Sequence, residues 1–72
     1  MQKSEISRLQ QYLQEKFDNR NIRLSPRKEA GDSVEVMLND EFIGVIYRDE
    51  DEGDVSYDFN MAILEMDLPP AA

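Results

Sequence analysis

Cysteine and histidine are both missing from this 72-residue chain. Without thiols there are no disulfides, thiolate metal sites or cysteine nucleophiles, and without imidazole the usual zinc ligand and the usual general base near neutral pH are lacking. Zinc-dependent hydrolysis and Ser-His catalysis are therefore excluded. The longest apolar run, residues 42–47, is far short of the roughly 20 residues that cross a bilayer, and the first seven residues are too polar for a signal-peptide core. A cytoplasmic protein with no membrane partner is expected, which the absence of cysteine permits.

What the chain does hold is charge, unevenly divided. Residues 1–28 carry seven of the eight basic groups against three acids, whereas residues 29–72 carry one base against thirteen acids, for a net charge of −8. A chain this short forms one small domain, with roughly 60% of its unfolded surface buried on folding, so each large apolar residue is expected to have structural work. The domain is expected over residues 1–68, with residues 69–72 (Pro-Pro-Ala-Ala) an extended or disordered tail that cannot join a ladder.

Ile6, Leu9, Leu13 and Phe17 recur at spacings of three, four and four, which predicts a helix from about residue 5 to about residue 18, with Gln10, Gln11, Gln14 and Glu15 turned to water. Ser4 is the candidate N-cap, although Ser7 then stands where a capping box wants Glu or Gln. Residues 18–21 (Asp-Asn-Arg-Asn) suit a reversal. Ile22 and Leu24 begin a short strand that Pro26 confines to an edge, and residues 29–32 read as a turn. Val34, Val36 and Leu38 form a second strand, followed by a tight hairpin at Asn39, Asp40 and Glu41 whose lack of glycine makes it a weaker primed-turn signal than Asn-Gly. Residues 42–47 form a third strand, apolar on both sides, and Val55, Tyr57, Phe59, Met61 and Ile63 a strictly alternating fourth that residues 64–68 extend.

The sum is an α+β fold in which one N-terminal helix packs on a four-stranded antiparallel sheet, in the order α-β-β-β-β. One helix covers one face, so the third strand carries an apolar surplus, either Phe42 and Ile46 or Ile43, Val45 and Tyr47, according to register. That surplus predicts a homodimer or another partner face; covering by the C-terminal tail or by Met37 is the structural alternative.

Five of the six residues 49–54 are carboxylates: Asp49, Glu50, Asp51, Glu52 and Asp54. An EF-hand loop counted from Asp49 would need an acid at position 5 and Glu at position 12, where Gly53 and Asn60 stand. No metal or other cofactor is assigned, with Asp49, Asp51 and Asp54 as weak candidates for magnesium or calcium. As a solvated hairpin the same acids contact another protein with a basic surface or keep neighbouring strands from pairing. Arg20, Arg23, Arg27 and Lys28 form the alternative site, phosphate contacts on RNA, set against cross-strand pairing with Glu35 or Asp58. The helix-then-strands order is loosely similar to that of double-stranded RNA-binding domains, but a net charge of −8 disfavours nucleic acid, and mimicry of a polyanion by the acidic half is the other nucleic-acid-related reading. Catalysis is left with carboxylates, tyrosines, lysines and arginines, and one thin core gives little room for a pocket, so no enzyme is expected; a carboxylate hydrolase is the only catalytic alternative.

The run from Asp40 to Tyr57 through the acidic segment, continued by Phe59, Asn60, Met61, Ala62, Ile63 and Leu64, resembles a family of small, single-domain alphaproteobacterial proteins of uncharacterised function. The resemblance covers nearly the whole chain. It implies a bacterial cytoplasmic protein, brings no catalytic residue or ligand, and leaves a non-catalytic binding or adaptor module as the expected role.

Overall fold

The apolar periodicities translate directly into the architecture of the computed structural model, which describes residues 1–27 and 31–71. Helix α1 spans Lys3–Lys16 and is followed by strands β1 (Ile22–Pro26), β2 (Ser33–Leu38), β3 (Glu41–Asp51) and β4 (Asp54–Asn60), then a short 3-10 turn at Glu65–Asp67. The strands form one antiparallel sheet in the order β1-β2-β3-β4, an open α+β arrangement with α1 on one face.

Both ends of α1 differ from the sequence expectation. The N-cap is Gln2, not Ser4, which places Glu5 at the third helical position, where its Oε1 accepts the Gln2 N–H at 3.4 Å. At the other end the helix stops at Phe17: Asp18 adopts a positive φ of 50°, and Asn19 N donates to Gln14 O while Asp18 N donates to Glu15 O. This paired bonding is a Schellman cap, with aspartate in the left-handed position that glycine usually fills. Phe17, the last residue of the expected apolar stripe, is consequently exposed.

The core is small: Leu13, Ile22, Val34, Val36 and Ile46, with Ile6, Leu9, Leu24, Leu38, Ile43 and Tyr57 packed around it. Register explains the membership. Ile22 faces Leu38, Leu24 faces Val36, Val34 faces Ile46, and all lie on the helix side. Ile46 thus belongs to the core and Ile43 packs against it, so the surplus of the third strand is neither expected set: it is Val45 and Tyr47 together with exposed Phe42, because the register slips by one residue at Ile43.

The two short hairpins use the same device. Asn39 and Asp40 both have positive φ (52° and 65°), as do Glu52 and Gly53 (52° and 85°), the backbone of primed two-residue turns. Strand β4 ends at Asn60, short of the expected Ile63. The pairing of β2 with β3 slips between Val36 and Met37, so that Ile43 is an extra residue in β3, and ladder pairing of β3 with β4 begins only at Val45 and Asn60. A bulge bends its strand, which carries the start of β3 away from Met61. Residues 61–64 therefore leave the sheet.

Candidate functional site

Strand β3 outruns β2. The last β2–β3 pair is Ser33 with Tyr47, and beyond the Arg48 N–H, which donates to Asp32 O at 2.8 Å, residues 49–51 pair with β4 alone and the β3–β4 hairpin projects as a two-stranded ribbon; the molecule is 47 Å long and 24 by 23 Å across. Asp49, Glu50, Asp51, Glu52 and Asp54 are all exposed on this ribbon. The sequence suggested a loop here; apart from Glu52 and Gly53 it is strand. Alternation puts Asp49, Asp51, Asp54 and Asp58 on the face away from the helix, continuous with Val45 and Tyr47. Acidic charge and apolar surface thus form one composite face.

That face is concave where residues 61–67 turn back beside it. Phe42, Ile43, Val45, Tyr47, Met61 and Leu64 border a depression of about 560 Å³. Phe42, Tyr47, Met61 and Leu64 remain exposed, so the C-terminal segment flanks the surplus of β3 without covering it. Among the described residues no group of three or more carboxylates converges in a way that could hold a metal, Asp49, Asp51 and Asp54 included.

At the base of the ribbon, on the helix side, lies a network that the sequence did not announce. Glu5 Oε2 accepts from Arg48 Nε at 2.9 Å and from the Tyr57 hydroxyl, and Arg48 Nη1 also reaches Glu50 Oε2 at 3.0 Å. The Tyr57 hydroxyl, more than any other group, holds the Glu5 carboxyl below its ordinary pKa, with Arg48 and the Gln2 N–H adding to the effect against partial burial. Glu5 in turn raises Tyr57 and Arg48. One signal could have found it: Arg48 is the only base between residues 29 and 72.

A second apolar recess separates α1 from β4. Leu9, Tyr12, Leu13, Phe17, Ile46 and Phe59 line a groove of about 560 Å³, with Arg8 and Lys16 at its rim. The groove exists because α1 lies over β1 rather than over the middle of the sheet. Gln10 and Gln14, expected to face water, anchor it there: Gln10 Oε1 accepts the Leu24 N–H at 2.9 Å, and Gln14 Nε2 donates to Ile22 O at 2.8 Å and Arg20 O at 3.3 Å. Gln11 and Glu15 are exposed as expected.

The basic candidates sit at the opposite edge from the acidic ribbon. Arg20 precedes β1, Arg23 lies within it and Arg27 follows it, all exposed, while Lys28 lies outside the described residues. Expected ion pairs from this cluster to Glu35 or Asp58 do not form among the described residues; Arg27 Nη1 instead reaches the buried Ser33 hydroxyl at 3.4 Å. No helix among the described residues is long and apolar enough to cross a membrane.

A family model described as a protein of unknown function (DUF3126) matches residues 5–67. No curated protein and no solved structure matches the chain.

Proposed function

The chain belongs to the DUF3126 family, whose function is unknown, and we propose that it is a non-catalytic protein-binding module that recognises a cationic partner and works as a homodimer. The observation that carries the reading is the composite face of the ribbon: Asp49, Asp51, Asp54 and Asp58 share one side of the sheet with Val45 and Tyr47. Exposed carboxylates accelerate encounter with a basic surface, and adjacent apolar area slows dissociation. The two helix-side carboxylates of the network, Glu5 and Glu50, are tied to Arg48, and Glu5 to Tyr57 as well, rather than poised for proton transfer, which favours binding over hydrolysis. The same reading places the protein in the alphaproteobacterial cytoplasm, as its sequence resemblance implies.

The test is a pull-down from native cytosol with three versions of the chain, each checked for folding by circular dichroism. Asp49→Lys with Asp51→Lys is expected to abolish capture, while Arg23→Glu with Arg27→Glu leaves it intact. The reverse pattern, with RNA recovered and capture weakening steeply with salt, would replace this reading by the nucleic-acid one.

A further inference from the structure

The two edges of the sheet are finished differently. On β1 the outward Leu24 N–H is taken by Gln10, the outward Ile22 carbonyl by Gln14, and Pro26 has no N–H to offer. On β4 nothing comparable exists. The Glu52-Gly53 turn closes on the pair Asp51 and Asp54, and in such a hairpin the closing pair is hydrogen-bonded and the pattern then alternates. Asp54, Ser56, Asp58 and Asn60 therefore bond to β3, while the main-chain groups of Val55, Tyr57 and Phe59 face outward. Among the described residues no hydrogen bond reaches them. Their side chains lie on the helix side beside the open groove, with Val55 43% and Phe59 36% exposed. An uncapped edge with an apolar row is a template for another strand.

We infer that this strand is β4 of a second copy, paired antiparallel about a two-fold axis at Tyr57 to give one continuous eight-stranded sheet. Charge selects the register. β4 runs Asp54–Asn60 with Tyr57 at its centre, so a two-fold there pairs the strand along its whole length. Tyr57 faces its own copy, Val55 faces Phe59, Ser56 faces Asp58 and Asp54 faces Asn60. No acid opposes an acid, and the outward residues pair with outward residues. Shifting the axis to Ser56 sets Asp54 against Asp58, and shifting it to Asp58 sets that residue against itself, both unfavourable. The selected register adds an aromatic row, Val55 and Phe59 of each copy flanking two tyrosines, and carries both helices on one side with their grooves adjoining. The opposite side keeps the acidic composite face of each copy available to a partner. The inference deepens the homodimer part of the proposed function and is independent of partner capture.

The test measures the dimer dissociation constant by sedimentation, with circular dichroism as the check on folding. Asn60 has the uncharged Val45 as its neighbour within the chain, so its substitutions report on the second copy. Asn60→Asp should weaken the dimer and Asn60→Lys tighten it, each by roughly twofold to thirtyfold from two symmetry-related contacts with Asp54. Val55→Pro removes an outward N–H without touching the β3–β4 ladder and should give a folded monomer. Val45→Lys, on the opposite face, should leave the dimer intact, and added salt should strengthen association between two acidic chains. A monomeric wild-type chain at high micromolar concentration, indifference to both Asn60 variants, or a dimer lost with Val45→Lys and kept with Val55→Pro would overturn the inference. Should Val55→Pro fail to fold, the opposed Asn60 pair decides alone. A monomer that still captures its partner through the acidic ribbon overturns edge pairing only and leaves the binding-module reading in place.

Discussion

Gly44 sits where β4 leaves no room for a side chain. A Cβ added there would lie 2.5 Å from the Asn60 carbonyl oxygen and 2.7 Å from the Phe59 ring, and although the exposed ring can turn aside, the carbonyl cannot retreat while Asn60 pairs with Val45. Gly44→Ala is expected to destabilise the fold by about 1 to 3 kcal/mol in urea titration, since overpacking a fixed contact displaces backbone. Glu5 and Tyr57 set the response to pH from opposite ends. Glu5 is held below its ordinary pKa, so its contribution is complete above the value it has unfolded and is lost as pH falls through the lowered native value. Tyr57 is raised, so its contribution is complete below its unfolded value and is lost as pH rises through the raised native one. Thermal unfolding across pH should therefore show the gap between the wild-type chain and Glu5→Gln closing on acidification, and that between the wild-type chain and Tyr57→Phe closing in alkali. Parallel curves for either pair would discount the contact.

At the scale of elements, α1 is fastened to one edge of the sheet rather than to its centre. Its apolar stripe supplies Leu13 to the core, but Gln10 and Gln14 fix where it rests by bonding the β1 backbone. Gln10→Ala with Gln14→Ala is expected to cost about 0.5 to 1.5 kcal/mol for each hydrogen bond removed, read as a lower denaturation midpoint with helix content retained before the transition. Helical periodicity reveals the stripe of Ile6, Leu9 and Leu13. It assigns glutamines to solvent by default, because side-chain bonds to another element's backbone leave no periodic trace. The end of β4 was illegible for a related reason. Met61 and Ile63 continue the alternation perfectly, but a slip at Val36 and Met37, two strands away, decides that β3 has no partner for them. The hairpin after β2 was legible from residues that tolerate positive φ, but without glycine its primed two-residue form was only weakly signalled, and Glu41 proves to open β3.

For the whole molecule, strand order and the single covered face followed from sequence because four apolar alternations separated by turn residues admit few antiparallel arrangements. The acidic segment was equally plain, but its setting was not. Only the relative lengths of β2 and β3 show that it is carried on a projecting ribbon, and only the register places Asp49, Asp51, Asp54 and Asp58 beside Val45 and Tyr47. Among the described residues the front-to-back division of charge has one crossing, Arg48 bound to Glu5, which couples the acidic half to the helix. A partly solvated ion pair of this kind adds little stability. Its effect is to hold the root of the ribbon in one orientation.

The glutamine seal along β1 bears finally on how far assembly proceeds. A layer with a single receptive margin can join one neighbour and then has nothing further to offer, so its oligomers are finite. Were both margins receptive, the proposed pairing would repeat without limit and yield filaments, an outcome that two helical glutamines oppose by occupying main-chain groups of the β1 margin.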